Sequence, residues 1–336
     1  MKTGRRTDGK NGGNAGKRIL CAGLAVLTAC LAAVGFASCK KKEKTKFRIG
    51  ICQLAPHDAL DAATEGFRAA VTDALGAENV EFDLQNAQGS ADTCGTIVNT
   101  FVSRRVDLIL ANATPALLAA ANRTTEIPIL GTSITDYGKT FNIADFGGVI
   151  GGNISGTSDK VQASVQAAAM KELFPEAKTV GLLYCSAEPN SEYQVAEIEP
   201  QLQALGYRTV RYKFSESTEI VGVVSRAAAE CDALYIPTDN TAASNAETIY
   251  GAMGDSKKPI FAGEKGICSG CGVATLSIDY YTLGYETGKM AAEILRGEAK
   301  ISEMAIRYDA NPKKLYNERI CRDLGFTAPD GYEKMD

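Results

Sequence analysis

The chain has 336 residues, of which 45% are hydrophobic, 23% charged and 7% aromatic, and its formal net charge is −4. This composition is that of an ordinary globular protein and excludes a disordered chain, a collagen, a coiled coil and a disulfide-dense miniprotein. The length suits two domains with separate cores, and the acidic balance argues against nucleic-acid binding.

The first 38 residues have the features of an export signal. Lys17-Arg18 precede an uncharged apolar run over 19–37, and a basic region followed by an apolar core is typical of a secretory signal. Phe36-Ala37-Ser38-Cys39 resembles a bacterial lipobox, in which the cysteine is lipidated and becomes the first residue. We therefore predict a lipoprotein signal peptide over 1–38 and lipidation of Cys39. An uncleaved anchor helix is the alternative, because the run is long enough to cross a bilayer.

A short basic segment follows the lipobox. Residues 39–46 contain five lysines and one glutamate, which predicts a solvated tether beside an anionic membrane surface. The rest of the chain is acidic. We expect the protein to be exported and lipid-anchored, with its body in the periplasm or outside the cell.

Cysteine spacing predicts no metal centre. Seven cysteines follow Cys39, and the only close pair is Cys268-Ser269-Gly270-Cys271. Without a second Cys or His pair this is a poor zinc site. A local disulfide and two unreactive thiols both remain open for this pair.

Hydrophobic periodicity predicts alternating strands and helices in the first half of the body. Leu60, Phe67, Val71 and Leu75 recur at helical spacing, whereas the residues of 80–84 alternate as in a strand. The predicted strands cover 47–54, 80–84, 106–110 and 127–130, and the predicted helices cover 58–75, 91–104 and 115–123.

The same alternation resumes after a glycine-rich stretch at 147–156. No regular G-x-G-x-x-G opens a helix there, so we interpret the stretch as a crossover between lobes and not as a dinucleotide loop. Beyond it the predicted helices are 159–174, 191–205, 217–229, 240–252, 280–296 and 311–324, and the predicted strands are 179–185, 207–213, 232–236, 258–262 and 272–277. We predict an α/β fold with two doubly wound, Rossmann-like parallel-sheet lobes, and a single eight-unit barrel is the alternative.

Polar loops at the carboxyl ends of the predicted strands are the candidate ligand site, because ligands of open α/β sheets bind there. Several of these loops open helices, whose free N–H groups favour anions. The candidate ligand-binding residues are Gln53, His57, Asn112, Thr114, Thr135, Asp136, Ser158, Glu188, Asn190, Ser191, Asp239, Asn240, Glu264 and Tyr280.

Ordered sequence blocks in these loops resemble a known family. The blocks include Gln85-Asn86-Ala87-Gln88-Gly89, Ala113-Thr114-Pro115-Ala116, Ala187-Glu188-Pro189-Asn190-Ser191 and Pro237-Thr238-Asp239-Asn240-Thr241. They are similar to the substrate-binding lipoproteins of ABC transporters for aromatic amino acids (tryptophan or tyrosine), which have the type I periplasmic-binding-protein fold. Asp58 and Tyr137 depart from the family pattern, since proline is usual at both places.

The resemblance implies a domain layout and a set of partners. Lobe 1 would comprise 47–153 and 279–303, and lobe 2 would comprise 154–278 and 304–336, joined by three crossovers. A small amino acid, expected to be aromatic, would bind between the lobes and be delivered to an ABC permease with its ATPase. The resemblance implies a monomer without cofactor.

For an amino-acid ligand, each end requires its own partners. Thr114, Asn190 and Ser191 are the candidates for the carboxylate, and Asp239 is the candidate for the ammonium group. Helix N-capping is the alternative role for Thr114, Ser191 and Asp239. Asp136 and Glu188 are secondary candidates for ligand or interlobe contacts, and the single histidine, His57, is expected at the ligand or the cleft rim. Tyr280, Phe146 and Gln53 are expected near an aromatic ring, and a core position is the alternative for Phe146.

Other functional classes have less support. A single histidine allows neither a Ser-His-Asp triad nor a two-histidine metal site, so we predict no enzyme. A transcription regulator of this fold would carry a helix-turn-helix and a basic face. A sensory or adhesive surface lipoprotein that binds another small metabolite is the alternative that the sequence leaves open.

Overall fold

The computed structural model describes residues 46–308, 311–327 and 330–335. The predicted signal peptide, the lipidated Cys39 and the tether up to Thr45 lie outside these residues. From Lys46 onward the chain forms one compact unit. No helix of the described part is long and apolar enough to span a membrane.

Thirteen strands are described. They are β1 (Phe47–Gln53), β2 (Val80–Asn86), β3 (Leu108–Asn112), β4 (Ile129–Ile134), β5 (Ile154–Ser158), β6 (Thr179–Cys185), β7 (Arg208–Phe214), β8 (Ala233–Ile236), β9 (Ile260–Ala262), β10 (Ala274–Ser277), β11 (Arg307–Tyr308), β12 (Lys313–Tyr316) and β13 (Glu333–Lys334).

Twelve α-helices are described between them. They are α1 (Asp58–Leu75), α2 (Ala91–Arg104), α3 (Thr114–Ala121), α4 (Tyr137–Thr140), α5 (Ala163–Leu173), α6 (Pro189–Ala204), α7 (Ile220–Glu230), α8 (Asn240–Ser244), α9 (Ala246–Ala252), α10 (Lys265–Cys271), α11 (Tyr280–Leu295) and α12 (Glu318–Leu324).

The strands form two separate open sheets, which confirms the two-lobe prediction and excludes the barrel. The first sheet has the order β11-β5-β4-β3-β1-β2 and is parallel throughout. The second has the order β13-β12-β10-β9-β8-β6-β7, and only the β10–β12 pair is antiparallel. We call the first sheet with its helices lobe 1 and the second lobe 2.

Helices cover both faces of the first sheet, as expected for parallel strands. On β1, Ile49 and Ile51 pack in one cluster with Phe67 and Met290. Cys52 belongs to the cluster on the opposite face, which α2 and α3 cover. Alternate residues of a strand point to opposite faces, so a short apolar strand contributes to both halves of the core.

Helix α11 returns from lobe 2 and packs against α1 through glycines. A Cβ added at Gly284 would lie 1.9 Å from the carbonyl oxygen of Ala63, and one at Gly66 would lie 2.0 Å from that of Tyr281. The two helix backbones therefore touch directly, and this seam fastens the second crossover to lobe 1.

Two of the three predicted lobe boundaries differ from the sheets observed. Ile154–Ser158 pairs with β4 as strand β5, so the first crossover follows Ser158, later than 153. Arg307–Tyr308 pairs with β5, so the third crossover follows Tyr308. The sequence of β5 contains small residues, which hide the apolar alternation of a strand. One of them is Gly156, where an added Cβ would lie 2.1 Å from the carbonyl oxygen of Gly131.

Two helix predictions need correction, and one helix was not predicted. The predicted helix 311–324 is strand β12 followed by α12, whose N-cap is Asn317. The predicted helix 240–252 is interrupted at Asn245. No helix was predicted for the Cys-Ser-Gly-Cys segment, but it lies in α10. Glu264 stabilises this helix by capping its first turn.

Candidate functional site

A cleft lies between the lobes at the carboxyl ends of several strands. Its lining consists of the start of α1, the loops after β4 and β5, the starts of α6 and α8, and the starts of α10 and α11. The lining residues are His57, Ala59, Leu60, Ser133, Thr135, Asp159, Asn190, Thr238, Asp239, Asn240, Ala243, Glu264 and Tyr280. The free volume is about 10 Å³, which is room for about one water molecule.

Hydrogen bonds across the cleft hold the lobes together. His57 Nε2 lies 3.1 Å from Asn240 Oδ1, and Gln194 Nε2 donates to Thr135 Oγ1 at 3.3 Å. At the edge, Lys160 pairs with Asp136 of lobe 1 and Glu197 of lobe 2, at 2.7 and 3.1 Å. The structure is therefore a closed conformation, and a ligand larger than water requires the lobes to separate.

Four polar atoms of the lining are buried and have no hydrogen-bond partner. They are His57 Nδ1, Ser133 Oγ, Asp159 Oδ1 and Asn190 Oδ1. A buried polar group without a partner costs roughly 1–3 kcal/mol, and such groups are rare in folded proteins. Their concentration at one cleft makes this cleft the candidate ligand site.

Ser133 owes its position to irregular backbone. The register between β4 and β5 shifts between Gly131 and Ile134, and Ser133 has a φ of 57°. A bulge of this kind redirects a side chain. It places the hydroxyl of Ser133 in the cleft lining.

Asp159 is the carboxylate with an unused oxygen. Tyr280 donates its hydroxyl to Asp159 Oδ2 at 3.0 Å, whereas Oδ1 has no partner. Burial raises the pKa of Asp159 to about 6, against the opposing effect of the Tyr280 hydrogen bond. A buried carboxylate of this kind favours a cationic ligand, which would lower the pKa again.

Asp239 also lines the cleft, but its oxygens already have partners. Oδ1 accepts from Ala242 N at 2.8 Å as the N-cap of α8, and Oδ2 accepts from Cys185 N at 2.6 Å and Ser191 Oγ at 2.8 Å. Burial, followed by the charge of Glu188, raises the pKa of Asp239 to about 7. The contacts of Asp239 are thus those of a cap that joins α8 to β6 and α6.

The comparisons with known proteins decide the family. The model of the family described as ABC transporter substrate binding protein matches residues 48–334. The chain belongs to this family. The prediction from the sequence blocks is confirmed, and the family is one of transport proteins that bind substrates, not of enzymes.

Individual relatives agree with this assignment. A tyrosine-binding protein of Clostridioides difficile (strain R20291) is 35% identical over 283 residues, which are 82% of each protein. The structure of an ABC domain from Streptococcus pneumoniae in complex with L-Trp is 30% identical and has a TM-score of 0.81, covering 86% of this chain and 99% of that one. These likenesses confirm the type I periplasmic-binding-protein fold.

A third comparison bears on the closed state. The ligand-free, open structure of a Clostridium difficile substrate-binding protein with adhesive properties is 34% identical and covers 86% of this chain and 99% of that one, but its TM-score is only 0.65. The binding protein therefore superposes better on the tryptophan complex than on the open structure.

Half of the predicted site residues line the cleft of the binding protein. They are His57, Thr135, Asn190, Asp239, Asn240, Glu264 and Tyr280. Glu264 N-caps α10 through Gly266 N and Ile267 N, and burial raises its pKa.

The other half lie outside the lining, and several of them hold its elements in place. The residues outside the lining are Gln53, Asn112, Thr114, Asp136, Ser158, Glu188 and Ser191. Gln53 and Asn112 both bond Thr64, at 2.7 and 3.0 Å, and so fix the start of α1 to the sheet. Glu188 accepts from Asn240 N and Thr241 N at 3.1 and 2.8 Å.

Phe146, Thr114 and Ser158 take structural positions, and neither Thr114 nor Ser191 caps a helix, since the N-cap residues of α3 and α6 are Ala113 and Glu188. Phe146 packs against the cluster on the α2 side of lobe 1, outside the lining. Thr114 is buried and its hydroxyl has no partner. Ser158 Oγ donates to Thr135 O at 3.0 Å.

Sequence reasoning missed Ser133, Asp159 and Thr238 among the polar residues of the lining. Asp159 directly follows Ser158, which is one of the predicted site residues. Thr238 likewise precedes Asp239, whereas nothing in the local sequence marks the bulge that exposes Ser133 to the cleft.

No group of three metal-ligating side chains occurs among the described residues. All seven described cysteines are buried and unpaired. Burial raises the pKa of Cys268 and Cys271, which favours their inert thiol form.

The raised pKa values of Asp159 and Asp239 predict how the ligand-free binding protein responds to pH. Between about pH 4 and pH 6 to 7, both carboxyl groups are protonated in the folded protein and ionised in the unfolded chain. Their contribution to stability is therefore fully present below about pH 4 and is lost as pH rises through about 6 to 7. We expect calorimetry to give a higher unfolding midpoint near pH 5 than near pH 7.5. A midpoint that rises over this interval would contradict the assignment.

Proposed function

We propose that this binding protein captures an aromatic amino acid in the cleft and delivers it to an ABC permease. The observation that carries the proposal is the unpartnered Oδ1 of Asp159 in a closed, acidic cleft. A carboxylate in such a place is an ammonium site, since an ammonium group supplies both charge and donors.

The cleft also offers apolar surface for a ring. Ala59 and Leu60 of lobe 1 and Ala243 of lobe 2 belong to its lining, and the ring of Tyr280 joins them. Apolar and aromatic neighbours favour an aromatic side chain. The tyrosine-binding relative and the L-Trp complex support the same ligand class.

Closure would follow ligand capture. We propose that Asp159, at the first crossover, and Tyr280, at the second, bind the ammonium group of the ligand. This places the ammonium group next to the hinge. His57 and Asn240 meet across the cleft and would latch it. Separation of the lobes breaks this bond and admits the ligand.

The family and the predicted N-terminal signal support a location outside the cytoplasm. A substrate-binding protein of an ABC transporter works outside the cytoplasm. We propose that lipidation of Cys39 anchors it, that residues 39–46 space it from the membrane, and that it meets the permease as a monomer.

A thermal-shift screen tests the proposed function. The body from Lys46 is heated with each of the twenty amino acids and with common sugars. A ligand at about a hundred times its Kd stabilises the fold by about 2.7 kcal/mol. We expect Tyr, Trp or Phe to give the largest rise in midpoint, and a shift with sugars or branched-chain amino acids alone would refute the aromatic class.

Tryptophan provides a second readout without a label. The chain contains no Trp, so indole emission reports the ligand alone. Burial in the cleft would shift this emission to shorter wavelength, and an excess of tyrosine would reverse the shift if both amino acids share the site.

An adhesive role is the second candidate. It is favoured by the 34% identical substrate-binding protein with adhesive properties. A deletion strain that loses attachment to host cells while its amino-acid uptake is unchanged would support adhesion over transport.

A further inference from the structure

Two cysteines of lobe 1 meet in the core between β1 and α2. Cys52 is the second-last residue of β1, and Cys94 lies in the first turn of α2. Both side chains are fully buried and belong to the same apolar cluster. A side-chain hydrogen bond links their thiols. The two sulfur atoms are therefore neighbours, although their positions are far apart in the sequence.

The backbone around the pair holds the two elements together. Ala87 N donates to Gln53 O at 2.8 Å, which fastens the loop after β2 to the carboxyl end of β1. Ser90 then N-caps α2, and Cys94 N donates to Ser90 O at 3.0 Å. The first turn of α2 thus begins beside the end of β1, and the proximity of Cys94 to Cys52 follows from the path of the chain.

The surroundings of the pair activate one of the two thiols. The hydrogen bond from Cys52 lowers the pKa of Cys94, against the opposing effect of burial, and the charge of Arg123 lowers it further. The guanidinium of Arg123 lies close to the backbone of Gly95, where an added Cβ would be 2.0 Å from Arg123 Nη2. The same hydrogen bond, together with burial, raises the pKa of Cys52. Since the thiolate is the nucleophile, Cys94 is the member of the pair that attacks a disulfide.

The other described cysteines have different surroundings. Burial raises the pKa of all five of them. Four of them donate a hydrogen bond to an oxygen atom, namely Cys185, Cys231, Cys271 and Cys321. Their thiols are held in the form that reacts slowly, whereas Cys52 and Cys94 bond each other.

We propose that Cys52 and Cys94 form a disulfide in the exported protein by exchange with an external disulfide. The proposal rests on the location outside the cytoplasm given above, because disulfides form and persist in oxidising compartments. Residues 91–93 directly before Cys94 are exposed, so fraying of this helical turn gives the external disulfide access to Cys94. The new bond would fasten the end of β1, which leads into the cleft, to α2.

The exchange proceeds in two displacements. The thiolate of Cys94 attacks one sulfur of the external disulfide, which forms a mixed disulfide and releases the first external thiolate. Cys52 loses its proton to that thiolate and attacks Cys94 Sγ, which forms the internal bond and releases the second external thiolate. The two cysteines are oxidised by two electrons, and the external disulfide is reduced to two thiols.

Peptide mapping of the protein isolated from membranes of the source bacterium tests the proposal. The cells are quenched with acid, and free thiols are alkylated in denaturant without prior reduction. Trypsin separates the pair into peptides 49–68 and 69–104, each of which contains one cysteine. We expect these two peptides to be joined by a disulfide in most of the protein, and the other five cysteines of the body to be alkylated.

Thermal unfolding of the full-length protein in detergent micelles gives a second readout. We expect treatment with oxidised glutathione to raise the midpoint by at least about 5 °C over treatment with dithiothreitol, because the bond restricts the unfolded chain. Cys94→Ala should abolish this difference. Cys231→Ala is the matched control, since it removes another buried thiol, and it should retain the difference.

The outcomes separate this inference from the proposed function. Alkylation of both Cys52 and Cys94 in the exported protein would overturn the inference, as would a disulfide that joins either of them to another cysteine. A midpoint of the parent protein that is the same in both treatments would also contradict it. None of these results involves amino-acid binding, so each would leave the proposed function intact.

Discussion

The substitution Asp159→Asn should weaken amino-acid binding about a hundredfold, or about 2.7 kcal/mol, while the protein stays folded. The amide has nearly the shape of the carboxylate and keeps an acceptor for the hydroxyl of Tyr280, whose bond now measures 3.0 Å. What it loses is the negative charge opposite the ligand ammonium. Titration calorimetry of the variant and the parent measures the difference.

Asp279→Asn is the matched control. Asp279 is exposed, lies outside the cleft lining beside Tyr280, and caps α11 by accepting from Thr282 N at 2.8 Å, a role that Asn also fills. The same loss of one charge should therefore leave affinity nearly unchanged. Equal affinities for Asp159→Asn and the parent would remove Asp159 from the site.

The substitution Gly284→Ala should destabilise the fold strongly. Alanine favours a helix over glycine by about 1 kcal/mol, but the new Cβ would lie 1.9 Å from the carbonyl oxygen and 2.8 Å from the Cα of Ala63. Neither atom belongs to a flexible side chain, so α11 must move away from α1. Overpacking of this kind costs about 3 kcal/mol, and the net loss should be about 2 kcal/mol in denaturant unfolding.

Gly222→Ala should change the free energy of unfolding in the opposite direction. Gly222 lies in α7, is exposed, and has no heavy atom within 4 Å of an added Cβ. The helix preference then acts alone and should stabilise the protein by about 0.5–1 kcal/mol. If both glycine variants were equally stable, the two helices would not be in backbone contact.

Sequence periodicity predicted those elements whose signals are local. The boundaries of α1 and α2 are as predicted because apolar residues recur at helical spacing. Strand β5 was missed because its fit depends on Gly156 meeting the backbone of β4, a contact between distant residues. The β12 strand was missed because antiparallel pairing with β10 determines it.

The sequence predicted most of the loops that form the candidate site. It predicted less well which side chains in those loops line the cleft. The rule on carboxyl ends of strands located the loop of Asp239 correctly, whereas Asp159 follows strand β5, which was not predicted. The role of Asp239 depends on Cys185 N and Ser191, which are distant in sequence. Ser158 and Asp159 are adjacent, but the side chain of Ser158 bonds Thr135 O, whereas that of Asp159 lines the cleft. A shift of one residue thus changes which side chain reaches the ligand site.

The most direct measurement is a crystal structure of the binding protein with the amino acid that gives the largest thermal shift. The account predicts the ligand between the lobes, with its ammonium nitrogen about 3 Å from Asp159 Oδ1 and its ring beside Leu60 and Tyr280. A ligand bound outside the cleft, or inside it with the amine away from Asp159, would contradict the account.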